Sequence, residues 1–453
     1  MIRVKNSLCA FFNSYLFPAF IAITVLICHT LSLEAIAIIA LSGSIALCSV
    51  LCKDLKCVIA PVLMFAFSFS YKAFLDGWFS RVTFKVLAIC ALTLIAGAVI
   101  AHIFIFKKQA KLRQVLGSKI FISILILCSA FLLNGFFSVG SYQPINIIFA
   151  ICLVASLGLI YLITFVGLEE RKGTMEYLIF VLYVASLLLV AQMLVLLLRD
   201  ATLNENGSII KESLIVGWGV WNNIGGMLCM LLPVHFYYAC VKKHGYFFYL
   251  SAIITYGAIA LTLSRSSLLF ASIISVICVT VICFKGQNVR INRIITVCLI
   301  GVAFLGFIIL FDKISALLGS YLAQGFGDNG RIELYKHGIE NFLSHPIFGG
   351  GFGSCMEDNF GHGIEPNRYH NTIIELLATC GLVGFGAYVF HRYQTIRLIW
   401  SKKSDISVVF LGIVVLALLL SSLLDNHFFN IYPTMYYAII LCVIEKHQNE
   451  QKQ

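Results

Sequence analysis

A short polar segment around residue 370 carries the side chains best suited to acid–base chemistry. His370 and Asn371 stand immediately before a long apolar run, and Glu375 follows Asn371 by four residues, so Asn371 and Glu375 share one face of a helix. A neutral imidazole, with an ordinary pKa of about 6.5, can take a proton from a hydroxyl group near neutral pH. These residues also suit plainer roles, a polar histidine at a membrane interface and the polar start of a helix.

Two arginines are candidates for binding an anion. Arg265 lies in the sequence LSRS (263–266) between two apolar runs, and Arg331 follows Gly330 at the start of a helical pattern. Guanidinium groups stay charged and bind phosphate oxygens in a bidentate manner, which favours arginine over lysine at such positions. The alternative for Arg265 is a span-end arginine whose stem lies along apolar surface.

The residues after Arg331 predict an amphipathic helix followed by a glycine-rich turn. One face of residues 331–342 is apolar and the other is charged, so the helix can lie in the membrane interface with its apolar stripe toward lipid or toward the helix bundle. The apolar positions are Ile332, Tyr335, Ile339 and Phe342, and the charged positions are Glu333, Lys336 and Glu340. Pro346 ends the pattern.

Four glycines follow this proline. They are Gly349, Gly350, Gly351 and Gly353. Such a backbone can turn sharply and present N–H groups to an anion, or it can simply form a flexible turn. The glycines alone favour the simple turn.

The elements that position these residues must lie in a membrane. The chain has 453 residues, of which 60% are apolar and 12% charged, and its mean hydropathy is +0.95. Soluble domains average roughly 45–50% apolar and about 25% charged residues, so this composition excludes folding in water. The 16 cysteines stand singly, mostly in apolar runs, which indicates packing rather than disulfides or a metal site.

Apolar runs predict an all-α, polytopic membrane protein with about 12–14 transmembrane helices, because each crossing needs about 20 apolar residues. The predicted spans are 12–31, 34–52, 57–75, 82–106, 120–138, 144–166, 175–198, 217–241, 246–263, 266–284, 294–311, 371–391, 406–424 and 431–445. We expect a single membrane domain over residues 1–453, with residues 312–369 forming a long extracytoplasmic loop within it. Loops of this length are often functional.

The basic residues predict the orientation of the bundle. Turns on one side, together with both ends of the chain, carry 22 of the 32 Lys and Arg residues. Because cytoplasmic loops are enriched in Lys and Arg, both termini are predicted to be cytoplasmic and the 312–369 loop to lie outside. The net charge of +11 is therefore an orientation signal and not a sign of nucleic-acid binding.

Four segments in order resemble the bacterial O-antigen ligase/polymerase superfamily, whose members act on lipid-linked glycans at the outer face of the membrane. They are GWGVWNNIGGMLCMLLP (217–233), LTLSRSSLL (261–269), GRIELYKHGIENFLSHPIFGGGFG (330–353) and HNTIIELLATCGLVG (370–384). The part that bears these motifs covers residues 217–391. The resemblance implies an all-helical fold with a long outer loop over the site.

The resemblance also implies a reaction and three of its residues. The reaction is glycan transfer from undecaprenyl pyrophosphate to an acceptor hydroxyl, with inversion at the anomeric carbon and without a metal or cofactor. Arg265 and Arg331 correspond to the pyrophosphate-binding arginines, Arg331 also being catalytic, and His370 corresponds to the catalytic histidine. Asn371, Glu375 and the glycines at 349, 351 and 353 would support them.

We predict a polymerase of lipid-linked repeat units for O-antigen, capsule or exopolysaccharide, in the bacterial cytoplasmic membrane. A ligase that moves the finished glycan to lipid A-core is the alternative, and a protein O-oligosaccharyltransferase is a less favoured version. Candidate partners are a repeat-unit flippase and a chain-length regulator. A lipid-glycan flippase is the alternative from another class, but the ionisable residues cluster at span ends and the halves show no repeat. A purely structural scaffold is the plainest alternative.

Overall fold

The computed structural model describes residues 2–70, 72–73, 76–136, 144–169, 173–203, 209–309, 311, 315, 330–352 and 369–447. Helices dominate these segments, and a two-residue antiparallel ribbon pairs β1 (Ile215–Val216) with β2 (Gly219–Val220). The α-helices are α1 (Ile2–Phe12), α2 (Leu16–Leu31), α3 (Glu34–Leu51), α4 (Ile59–Met64), α5 (Val82–Ile105), α6 (Gln109–Val115), α7 (Lys119–Gly135), α8 (Pro144–Val154), α9 (Ile160–Gly167), α10 (Thr174–Val195), α11 (Trp221–Leu231), α12 (Pro233–Val241), α13 (Phe247–Leu261), α14 (Arg265–Phe284), α15 (Val289–Ile309), α16 (Arg331–Ser344), α17 (Thr372–Ser401), α18 (Ile406–Asp425) and α19 (Ile431–Lys446).

Nine helical segments among the described residues are long and apolar enough to cross a membrane. Two bent pairs raise the number to eleven if each pair is one span, namely α1 with α2, bent by 74°, and α6 with α7, bent by 76°. The predicted all-α, multi-pass membrane fold is confirmed.

Three of the fourteen predicted spans are short helices in the structure. Within the run predicted at 57–75, the described residues include a helical segment at Leu55–Met64 and a short 3-10 helix at Ala66–Ser68, and α13 and α19 have 15 and 16 residues. Nearly every residue from 55 to 70 is buried within the protein, so this apolar run packs in the core instead of facing lipid along a full crossing.

Helix α17 runs to Ser401, ten residues beyond its predicted end at 391. Arg392, which the sequence places in a cytoplasmic turn, lies inside this helix. Its guanidinium is caged by the rings of Tyr388, Phe428 and Tyr437, with centroids 4.4, 4.2 and 4.8 Å away, and it donates a hydrogen bond to the Tyr437 hydroxyl at 2.7 Å. Because cation–π contacts and this hydrogen bond compensate for burial of the charge, Arg392 does not end the helix.

The predicted cytoplasmic turns meet at one end of the bundle, which we call the basic end. There Lys402 donates to the carbonyl of Ile444 at 2.7 Å, Lys446 donates to the carbonyl of Leu168 at 2.8 Å, and His447 contacts Asp405 at 2.7 Å. The opposite end carries the starts of α11, α14, α16 and α17 and the end of α18. Those five helix ends build the site described next.

Candidate functional site

A buried carboxylate, that of Asp425, joins the helix ends at the site. The side chain of Asp425 is only 3% exposed. Its Oδ1 accepts hydrogen bonds from Arg331 Nη2 at 2.9 Å and from Asn222 Nδ2 at 3.1 Å, and its Oδ2 accepts one from the Ser266 hydroxyl. The donors belong to the first turns of α16, α11 and α14, so one carboxylate at the end of α18 fixes three other helices.

His370 faces the same carboxylate. Its Nδ1 lies 4.0 Å from Asp425 Oδ1, and 45% of its side chain is exposed. His370 also has a φ of 49°, in the left-handed region. This conformation is uncommon outside glycine, and such strain persists only where neighbouring contacts hold the backbone in place.

Asn371 and Glu375 supply those contacts. The Asn371 side chain caps α17 by accepting from the N–H groups of Ile373 and Ile374 at 2.9 and 3.1 Å, and it donates to the Leu423 carbonyl at 2.9 Å. Asn371 is therefore both a helix cap and a tie to α18.

Glu375 is fully buried and connects the two segments that carry His370 and Asp425. Its Oε2 accepts from the backbone N–H of Tyr369 at 3.0 Å and from Asn426 Nδ2 at 2.9 Å. Because Tyr369 precedes His370 and Asn426 follows Asp425, Glu375 positions both residues without itself facing solvent.

Arg265 opens α14 immediately before Ser266, the residue that donates to Asp425. The preceding turn is tight, since Leu263 has a φ of 57° and the hydroxyls of Ser264 and Ser267 are 2.9 Å apart. The Arg265 side chain is exposed at this end of the bundle. The structure thus brings all three predicted basic residues to one region, with Arg331 and His370 in contact distance of Asp425 and Arg265 at its edge.

Helix α16 packs on the site through a glycine. A Cβ atom at Gly338 would lie 2.5 Å from Ile374 Cγ2 and 2.9 Å from Tyr369 Cδ1, so only glycine allows this approach to α17. The predicted apolar stripe is divided, because Ile332 and Ile339 stay 57% and 49% exposed while Tyr335 and Phe342 are half-buried. The helix predicted at 331–342 is confirmed, and its contact with the bundle centres on Gly338.

The glycine run lies against α17, and the N–H groups of its described residues, Gly349, Gly350 and Gly351, have partners within the protein. It provides backbone hydrogen-bond partners at a break in α17 at Gly381, which has a φ of 59°. The N–H groups of Gly350 and Gly351 donate to the carbonyls of Ala378 and Thr379 at 2.8 and 2.9 Å, and the Gly349 N–H donates to the His345 carbonyl at 2.9 Å.

The residues just before the glycines provide hydrogen-bond acceptors on the other side of the break. The N–H groups of Leu382 and Val383 donate to the carbonyls of Pro346 and Ile347 at 2.8 and 3.1 Å. Backbone groups released by a broken helix inside a membrane protein need such partners. The N–H groups of Gly349 and Gly351 are therefore occupied by backbone carbonyls, and Gly353 lies outside the described residues.

The polar triplet 425–427 is the part of the site that the sequence motifs did not reveal. His427 is 2% exposed, packs against Gly226, and has a pKa lowered by burial, so it stays neutral beside Asp425. The available signal was an Asp-Asn-His interruption between two apolar runs on the predicted outer side. Asn222 and Ser266 stood inside the quoted motifs without an assigned role.

The exposed fractions of these side chains distinguish the residues that can contact a ligand from those that hold them in place. Arg331 and His370 are 24% and 45% exposed, whereas Asp425 is 3% exposed. A ligand at this end therefore meets a guanidinium, which can bind phosphate oxygens, and an imidazole, which can take a proton. The carboxylate behind them contacts the guanidinium at 2.9 Å and lies 4.0 Å from the imidazole.

A comparison with known protein families gives one match to this region. A family model described as O-antigen ligase matches residues 250–389, which contain Arg265, Arg331 and His370, whereas Asn222 and Asp425 lie outside. No curated protein sequence matches the chain. The family match confirms the resemblance that the sequence motifs showed, and it supports membrane glycan processing of the O-antigen ligase/polymerase type.

Proposed function

We propose that this membrane protein polymerises undecaprenyl-pyrophosphate-linked repeat units of a surface polysaccharide, because residues 250–389 match a family model described as O-antigen ligase. The observation that carries the proposal is the cluster in which Asp425 holds Arg331 at 2.9 Å and lies 4.0 Å from His370. In this cluster a guanidinium, which can bind phosphate, and an imidazole, which can accept a proton, lie near the same carboxylate.

In the proposed reaction, the acceptor hydroxyl attacks the anomeric carbon of the donor glycan on the face opposite the lipid pyrophosphate. His370 takes the hydroxyl proton, a new glycosidic bond forms, and the bond from the anomeric carbon to the pyrophosphate oxygen breaks. The pyrophosphate leaves with the bonding electrons, and Arg331 with Arg265 binds its oxygens. Charge-assisted bidentate contacts suit this leaving group because negative charge builds on it as the sugar departs. One displacement inverts the anomeric centre.

Asp425 and Glu375 act in this scheme as positioning residues. Asp425 keeps the Arg331 fork in one orientation, and a small rotation of His370 closes the 4.0 Å gap to a hydrogen bond. Catalytic hydrogen bonds are often long without substrate and tighten when it binds.

The proposed location is the bacterial cytoplasmic membrane, with both termini inside and the site on the outer face. The Lys and Arg distribution supports this orientation, because the turns that carry most of them meet at the basic end, opposite Asp425. A repeat-unit flippase would supply the donor at that outer face, and a chain-length regulator would be a natural partner.

Purified protein in lipid vesicles, given lipid-linked repeat units, tests the proposal. A polymerase produces a ladder of longer lipid-linked chains from these units alone. A ligase leaves the single units unchanged and transfers preformed chains only when lipid A-core is added. Ladder formation without lipid A-core supports the polymerase, and transfer that depends strictly on lipid A-core would replace it with the ligase.

A further inference from the structure

A cavity lies at the basic end, far along the bundle from Asp425. Its volume is about 240 Å³. The walls come from the end of α12, the turn between α14 and α15, and the start of α18. The lining residues are Cys240, Val241, Lys285, Gly286, Gln287, Lys403, Ser404, Ile406 and Val409.

The cavity has a positive rim. The side chains of Lys285 and Lys403 are exposed, and neither ammonium has a hydrogen bond or ion pair with the residues that the structure describes. The Lys403 ammonium lies 3.6 Å from the ring centroid of Trp400. Two ammonium groups with spare donors therefore flank one opening.

Asp405, the acidic residue nearest to Lys403 in the sequence, has other partners and does not neutralise the two lysines. Asp405 caps α18 by accepting from the Ser407 N–H at 2.7 Å, and its other oxygen contacts His447 at 2.7 Å. The neighbouring Lys402 is also engaged, because it donates to the carbonyls of Ile444 and Glu445. Lys285 and Lys403 remain as the charges available to a ligand.

Apolar surface lies beside both lysines. Phe284, which precedes Lys285 at the end of α14, is 73% exposed, and Trp400 near the end of α17 is 66% exposed. Large exposed aromatic side chains at span ends are typical of the membrane–water interface. A ligand with a negative headgroup and apolar chains matches this combination of a cavity with a positive rim and an aromatic flank.

We propose that this cavity binds the headgroup of an anionic glycerophospholipid. Its phosphate lies between Lys285 and Lys403, the glycerol fills the space beside Gln287 and Ser404, and the acyl chains run along Phe284 and Trp400. Basic pockets between helices at the cytoplasmic side of membrane proteins bind anionic lipids through such contacts. The site is separate from the proposed glycan chemistry and does not depend on it.

Trp400 offers a direct probe, because the other three tryptophans, Trp78, Trp218 and Trp221, lie outside the basic end. Purified full-length protein in phosphatidylcholine nanodiscs is titrated with brominated phosphatidylglycerol, and quenching of tryptophan emission is measured. We expect stronger quenching than with brominated phosphatidylcholine, and Trp400→Phe should remove the difference. Equal quenching by the two lipids would overturn the proposal.

Two lysine variants locate the effect. Lys285→Ala, which leaves Trp400 and Lys403 intact, should weaken apparent affinity about fivefold, and the double variant with Lys403→Ala about 30-fold, since a lysine near an anionic surface contributes about 1 kcal/mol. The matched control removes two exposed lysines elsewhere at the same end, Lys53→Ala with Lys119→Ala, and should keep wild-type quenching. An equal loss in the control would mean a diffuse charge effect and no site.

A final arm separates lipid from soluble phosphate. Glycerol 3-phosphate at the same concentration as the lipid should leave quenching in place, because it lacks the acyl chains. Complete relief of quenching by glycerol 3-phosphate would contradict the assignment to a lipid.

Discussion

Replacing Asp425 by Asn should slow glycan transfer while leaving the bundle folded. The substitution keeps the shape of the side chain but removes the charge that holds Arg331 Nη2 at 2.9 Å. A hydrogen bond to a charged group contributes about 1.5–3 kcal/mol, and the 24% exposure of Arg331 favours a middle value. A loss of about 2 kcal/mol corresponds to about a 30-fold decrease in kcat/KM.

The assay is the rate of chain lengthening by purified variant in vesicles, with thermal unfolding measured in parallel. Asp200→Asn is the matched control, because Asp200 pairs with Arg199 at 2.7 Å and makes none of the contacts of the Asp425 cluster. Exposed ion pairs contribute about 0–1 kcal/mol to stability, and we expect Asp200→Asn to retain the wild-type rate. A folded Asp425→Asn protein with the wild-type rate would refute the positioning role of Asp425.

Three further outcomes follow from the structure. Gly349→Ala should lower the apparent Tm by several degrees, because Gly349 has a φ of 73° and a Cβ there would lie 2.4 Å from the backbone of Thr379. The control is Gly97→Ala, which has open space around it and should leave the Tm unchanged. Arg392→Lys should also lower the apparent Tm, since lysine replaces neither the planar stacking on three rings nor the geometry of the bond to Tyr437; an unchanged Tm would show that the cage adds no stability. EDTA should leave chain lengthening intact, and a loss that Mg²⁺ restores would mean a different chemistry.

The helices were predictable because apolar runs report directly on burial in lipid or in the core. The predicted helix boundaries are wrong where other parts of the protein, and not lipid, bury the residues. Residues 57–75 were predicted as a span because a core segment and a lipid-facing segment have the same apolar composition, and residues 55–70 are nearly all buried in the protein. The end of α17 was placed too early because Arg392 reads as a solvated charge, whereas three aromatic rings enclose it.

The site was predictable to a different extent for each residue type. Arg331 and His370 stand at element starts within recognisable motifs, and the structure brings both to Asp425. Asp425 stands at the end of an apolar run, where an ordinary exposed turn residue would also be expected. Its burial depends on three helix ends that are distant in the sequence, and no local pattern reveals them. The glycine run illustrates the same limit, because its partners at Ala378 and Thr379 exist only once α17 breaks at Gly381.

The rate of chain lengthening by His370→Ala tests the central claim most directly. The purified variant is compared with wild type and with His244→Ala, which removes an exposed histidine between α12 and α13, away from the Asp425 cluster. If His370 takes the acceptor proton, its loss lowers the rate about 10²–10⁴-fold while His244→Ala stays at the wild-type rate. A folded His370→Ala protein that lengthens chains at the wild-type rate would contradict the account.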